Sequence, residues 1–252
     1  MNKLPHITLA FWIMKICATT LGETAGDQLS MTMHVGYGAS TAILMGFFFA
    51  TLVAQLFARE YHPFLYWAVI LSTSTAGTTM SDYMDRTLGL GYAAGSAILA
   101  AILAIIFLGW WLSGESLSVD KVRTRKVELL YWTAILFSNT LGTALGDFLA
   151  DDSGLGFAGG ALLIGSLLAA TALAMLVPAI PRVALFWIAF VLTRPFGATM
   201  GDVLTKPHEK GGLDFGTQGA SLVLAAVLVA FVTWAAISKY RLKASTAAPA
   251  AS

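Results

Sequence analysis

Charge is scarce in this chain. Aspartate, glutamate, lysine and arginine make up 12% of its 252 residues, where a soluble domain carries about 25%, and this excludes a water-facing surface over most of the molecule. Cysteine is nearly absent: Cys17 alone excludes an internal disulfide and any thiolate cluster supplied by one chain. The few histidines are scattered, with His6 and His62 on one side of the topology derived below and His34 and His208 on the other. No clustered-histidine metallohydrolase and no nucleophile–base pair can be assembled from these residues, so an enzyme is not expected. With 15 basic and 14 acidic residues, nothing draws the chain globally to nucleic acid.

Apolar residues are plentiful. They fill 57% of the chain, and mean hydropathy is +0.75. The runs 39–58, 93–113, 159–180 and 216–238 each have the roughly 20 residues that a helix needs to cross a bilayer core. This predicts an all-α polytopic membrane protein, a single membrane domain over 1–252 with the lipid bilayer as its partner. The start, "MNKLPHITLAFWIMK", has an apolar run broken by Lys15 and no prompt small-residue cleavage site, and it reads as a retained first transmembrane helix. The small, polar tail 244–252 is expected to be disordered.

The chain repeats itself four times. Aligning Trp12, Trp67, Trp132 and Trp187 puts glycine ten residues later each time, at Gly22, Gly77, Gly142 and Gly197. Aspartate falls fifteen later, at Asp27, Asp82, Asp147 and Asp202, and an aromatic opens the next apolar run at Tyr37, Tyr92, Phe157 and, after a three-residue insertion, Phe215. The tryptophan spacings of 55, 65 and 55 residues leave room for two transmembrane helices per unit. Eight helices are expected near 7–28, 37–58, 64–84, 91–112, 128–149, 157–178, 183–203 and 216–239, in repeats of about 7–58, 64–112, 128–178 and 183–239. A cytoplasmic linker at 113–127 divides the chain in half. The fold expected is four parallel-topology helical hairpins around a pseudo-fourfold axis. The tryptophans read as interfacial anchors and the glycines as sites of close helix packing.

Orientation follows from the basic residues. Lys3, Arg59, Lys121, Arg123, Arg125, Lys126, Arg182, Lys239, Arg241 and Lys243 sit at chain ends or between units, and only Arg86, Lys206 and Lys210 sit in the turns within them. Ten against three places both termini in the cytoplasm and runs all four units the same way.

Counted from tryptophan, offsets seven, eleven and fifteen share one helical face. They select Thr19, Glu23 and Asp27; Ser74, Thr78 and Asp82; Asn139, Thr143 and Asp147; and Arg194, Ala198 and Asp202. Eleven of these twelve are polar, and polar groups at membrane depth belong in the bundle interior or a wet cavity. The first helices are therefore expected to line the axis, with the aspartates near the outer end and Lys15 and Arg194 deeper. Clustered carboxylates and hydroxyls suit hard cations. The expected pathway comprises Glu23, Asp27, Asp82, Asp147, Asp202, Thr78, Thr143 and Asn139, with Lys15 and Arg194 as charge partners and the four aspartates as metal ligands. Met31, Met33, Met80, Met84, Met200 and His34 accompany the acids, which would shift preference toward manganese or a later divalent ion, although methionine also serves as gap-filler.

These registers resemble the family of bacterial membrane proteins built from tandem repeats of unknown function, with two transmembrane segments and a characteristic tryptophan per unit. The resemblance covers about residues 7–239 and implies a bacterial inner-membrane location but no activity. Unit four departs from the others at Arg194-Pro195 and at the inserted "KPHEKGG", so strict fourfold equivalence is not expected. The leading functional expectation is a transporter or channel for a small, divalent cation, with no cofactor beyond that ion. The alternative is a non-transporting membrane scaffold or sensor with structural carboxylates, its basic linker meeting a cytoplasmic partner or anionic lipid. Nothing in the sequence specifies a homo-oligomer.

Overall fold

A computed structural model describes residues 3–122 and 124–247. Among these residues the chain is all-helical, with eight α-helices and no strand: α1 (Leu9–Asp27), α2 (Tyr37–Phe57), α3 (Pro63–Asp82), α4 (Tyr92–Leu112), α5 (Arg125–Asp147), α6 (Gly156–Ala174), α7 (Arg182–Thr205) and α8 (Gly216–Ala247). Arg123, one of the residues used for orientation, lies outside the described residues.

The odd-numbered helices pack side by side, α1 against α3 and α7, and α5 against the same two. The even-numbered helices lie outside them: α2 on α3, α4 on α5, α6 on α7, and α8 back on α1. Each outer helix therefore packs chiefly on the inner helix of the next repeat, and the repeats are not the self-packed hairpins expected from the sequence. The physical reason lies in the turns. Asp27, Asp82 and Asp147 are each followed by a π-helical turn, Gln28–Thr32, Tyr83–Thr87 and Phe148–Asp152, and Gly36 and Gly91 then redirect the chain at φ 82° and 74°, a left-handed conformation that glycine adopts without penalty. Wound this way, the four repeats interlock, and α8 closes the circle.

The sequence of each helix explains its place. Outer helices are apolar all round, and Phe47, Phe49, Leu108, Leu162 and Leu222 remain exposed. Five helices, α2, α4, α6, α7 and α8, are long and apolar enough to cross a membrane. Among them 61% of the apolar stretch of α7 is buried against 22% in α2, α4 and α8, so α7 is the one that belongs inside. Helices α1, α3 and α5 miss that apolar standard because serines, threonines and acids crowd their buried faces.

Glycine sets the inner spacing. A methyl group on Gly22 would collide with Ser74, one on Gly142 with Arg194, and one on Gly197 with Thr19, and on Gly77 it would stand 3.0 Å from the Thr140 backbone nitrogen. The offset-ten glycine of each inner helix thus meets the offset-seven region of the next, once around the circle. This is close packing, as expected.

The end of the bundle that holds the linkers and termini is filled by aromatic rings. Trp67, Trp132 and Trp187 are 2%, 0% and 7% exposed, which corrects the expectation that they anchor the chain at the interface. They pack edge-on with Tyr66, Tyr131, Phe186 and Trp110, a geometry favoured by the ring quadrupoles. Tyr66 and Tyr131 share a hydroxyl hydrogen bond of 2.8 Å.

Some boundaries differ from expectation. Helix α6 stops at Ala174, short of 178, because residues preceding Pro178 and Pro181 are steered out of the α region. Helix α5 begins at Arg125, inside the expected linker, where the Thr124 hydroxyl accepts the Val127 N–H, an N-cap. Helix α8 runs to Ala247, so 244–247 of the expected tail are helical, and 248–252 lie outside the described residues.

Candidate cation site

All twelve residues of the stripe are buried, none more than 3% exposed. They form three layers across the inner helices: Thr19, Ser74, Asn139 and Arg194; Glu23, Thr78, Thr143 and Ala198; and the four aspartates, nearest the turns.

Arg194 occupies the middle of the stripe. Its Nη2 donates to Glu23 Oε2 at 2.8 Å and also to the hydroxyls of Thr78 and Thr143, so one guanidinium from α7 touches α1, α3 and α5. It is 0% exposed, and its Nε and Nη1 have no hydrogen-bond partner. The Thr78 and Thr143 hydroxyls also lie 3.3 and 3.4 Å from Glu23 Oε2. Pro195, beside Arg194 within the helix, cannot donate to the carbonyl four residues earlier. Of the two expected charge partners for Glu23, Arg194 is the one that pairs with it. Lys15 lies deeper and meets Asn139 Oδ1 at 3.4 Å and the face of Phe190 at 4.1 Å, and Asn139 in turn donates to Thr73 at 2.9 Å.

The aspartates are joined in pairs by two basic residues from the turns within units, Arg86 and Lys206, which are not among the expected charge partners. Arg86 contacts Asp82 at 3.0 Å through Nε and Asp147 at 3.3 Å through Nη2. Lys206 contacts Asp202 and Asp27, each at 3.1 Å. Both follow their own aspartate by four residues, the helical spacing for an ion pair, and that spacing was the available signal. Arg86 also donates to the Tyr37 hydroxyl at 3.2 Å and lies near the faces of Tyr37 and Tyr92. Burial disfavours a proton on Lys206, but the Asp202 and Asp27 carboxylates outweigh it and hold the ammonium above its ordinary pKa. Arg86 is held above its ordinary value in the same way, the pull of Asp82 and Asp147 exceeding the cost of burial.

The carboxylates that converge are not the four expected as ligands. Glu23, Asp147 and Asp202 bring one oxygen each within 4.8 Å of one another, whereas Asp27 and Asp82 stand aside with their basic partners, and Asp82 Oδ2 has no hydrogen-bond partner. Hard carboxylate oxygens at this spacing fit magnesium, calcium or manganese. His34 and Met33 are exposed on the first turn, and Met200 lines an outer groove beside α6, so these contribute nothing to the donor set. Counted by formal charge, the five carboxylates of the stripe form ion pairs with Arg86, Arg194 and Lys206, leaving that paired set two negative charges in excess. Lys15, also buried, lies deeper beside Asn139 and Phe190.

Four interlocked repeats with polar interiors and apolar exteriors define a tandem-repeat helical protein of membrane character. The chain belongs to the family described as Repeat of Unknown Function (DUF347), whose model matches residues 10–61, 65–116, 130–180 and 185–240. No curated protein and no solved structure matches it.

Proposed function

We propose that this protein is a carrier for a small divalent cation such as manganese, crossing the bacterial inner membrane eight times with both termini in the cytoplasm. Its inner helices stand around a pseudo-fourfold axis along the membrane normal, with the aspartates toward the outside. One observation carries the reading: five buried carboxylates share three basic partners, and an uncompensated charge away from water costs several kcal/mol. A divalent cation among Glu23, Asp147 and Asp202 would offset that excess. Eight crossings are supported by length, since α1, α3 and α5 have 19, 20 and 23 residues at about 1.5 Å each, comparable with a hydrocarbon core of about 30 Å. The basic residues at the linker end support the orientation.

A carrier fits better than an open channel. Arg194 stands in the middle of the polar stripe, and below it Phe11, Tyr66, Tyr131 and Phe186 fill the linker end with rings that are 8% exposed or less. Transport then requires the inner helices to change their packing.

The test is manganese uptake into liposomes holding the purified protein and an entrapped indicator. Asp147→Asn and Asp202→Asn should each cut the rate by about tenfold or more, equal to about 1.4 kcal/mol in the barrier. Unchanged rates in both would sink the proposal. The alternative is a membrane scaffold or sensor whose carboxylates are structural, favoured by the four salt bridges that tie the ring together. It expects the same variants to lose thermal stability and the wild-type liposomes to admit no ion.

A further inference from the structure

Arg86 and Lys206 hold equivalent places, nineteen residues after Trp67 and Trp187, where units one and three carry Met31 and Asp151. Their surroundings differ. Arg86 is held at all three guanidinium nitrogens, by Asp82, Asp147 and the Tyr37 hydroxyl, and it sits at a π-helical turn between two aromatic rings. Lys206 is a single ammonium on a flexible stem, divided between Asp27 and Asp202, with no ring among the described residues to match the two at Arg86. Its side chain is 23% exposed against 30% for Arg86, so the difference lies in how each is held and not in access to water. Unit four lacks the π turn; α7 ends at Thr205 and Lys206 is extended, at φ −73° and ψ 153°. The inserted loop folds back over this end, with Leu213 and Phe215 donating to the carbonyls of Val203 and Leu204.

We infer that Lys206 is a tethered occupant of the cation site: its ammonium supplies charge to Asp27 and Asp202 when the site is empty, and it is the group that an entering divalent cation displaces. The inference rests on the cation reading above. Each of the convergent carboxylates also holds a basic group, Glu23 with Arg194, Asp147 with Arg86 and Asp202 with Lys206. A metal ligated there competes with all three cations, and the one held least rigidly yields first. A lysine suits the task because it is a point charge with no fixed fork, whereas the planar, stacked guanidinium of Arg86 is built to stay. The ring thus has one exchangeable side, formed by units four and one, and one fixed side, formed by units two and three. Divalent ions enter at the first.

The experiment uses the full chain in detergent with manganese chloride as the probe. Lys206→Met places in unit four the residue type that unit one already has. Its melting temperature in chelator should fall below wild type and be restored by manganese, while wild type moves less and Lys206→Arg follows wild type. Manganese should bind Lys206→Met about tenfold more tightly than wild type, because a competing charge has gone. Arg86→Met should lose stability that manganese does not restore. A Lys206→Met protein indifferent to manganese, or one that fails to fold even with manganese while Lys206→Arg folds, overturns the inference. Liposome uptake separates it from the reading beneath. Manganese-dependent stability in Lys206→Met without wild-type uptake removes transport alone, whereas uptake with an indifferent Lys206→Met removes the tethered cation alone.

Discussion

Arg194 Nη2 lies 2.8 Å from Glu23 Oε2, with the two side chains 0% and 4% exposed. An ion pair this deep is stable only as a pair. Arg194→Met leaves Glu23 as a charge with two hydroxyl donors, and losing one partner of a buried pair typically costs about 3–5 kcal/mol. Glu23→Gln strands the guanidinium, which already has two unpartnered nitrogens, at similar cost. The double variant should recover a large part of the loss, giving a coupling energy of about 2 kcal/mol or more in a double-mutant cycle of unfolding free energies. Additive losses would mean that the contact contributes little.

Gly77 sits against α5 so closely that a Cβ would stand 3.0–3.1 Å from the Thr140 nitrogen and from Asn139. These are mostly backbone atoms and cannot rotate away. Gly77→Ala should destabilise the bundle by about 1–3 kcal/mol, the usual cost of overpacking. Gly46, on α2, has nothing within 4 Å of the equivalent position. Gly46→Ala should therefore be neutral or stabilising by up to about 1 kcal/mol through helix propensity. Detergent unfolding of the two proteins side by side decides it.

Much of this interior was legible because duplication supplies its own controls. One aspartate on an apolar helix has many explanations, but four at one offset identify a face, and all twelve residues of that face are buried. What stayed hidden depended on partners brought from afar. Arg86 and Lys206 look like loop charges until the turn folds them back over their own aspartates. Trp132 looks like an interfacial anchor until Tyr66 and Tyr131 surround it. The offset of each outer helix onto the next repeat has no signature along the chain, since an apolar helix matches any apolar neighbour. The choice between them is made in the turns.

The Tyr66 and Tyr131 hydroxyls are 2.8 Å apart, both side chains 0% exposed. Removing one hydroxyl leaves the other buried without its partner, a penalty of about 1–3 kcal/mol, whereas removing both nearly cancels. Tyr66→Phe or Tyr131→Phe alone should thus be less stable than Tyr66→Phe/Tyr131→Phe together. A double variant worse than either single one would show that the rings depend on the pair for their packing.

At the linker end Lys3 joins two helices, α2 and α5. Its ammonium contacts Glu128 Oε2 at 2.8 Å and donates to the Leu56 carbonyl at 3.1 Å, near the C-terminal end of α2, where a cation also meets the negative end of the helix dipole. Gln55 adds a 3.3 Å donor to Glu128, which lies in the first turn of α5 and is 2% exposed. Lys3→Met leaves that carboxylate with one amide and leaves the end of α2 without its cation. The expected cost is about 2–3 kcal/mol, below the full figure for a buried pair because Lys3 is itself 14% exposed. Lys126, two residues from Glu128 and exposed, provides the comparison: Lys126→Met should stay within about 0.5 kcal/mol of wild type. Equal effects of the two substitutions on thermal unfolding would reduce the Lys3 contact to an ordinary surface charge, and a larger loss at Lys3 would mark the start of the chain as a fastening between the first and third repeats.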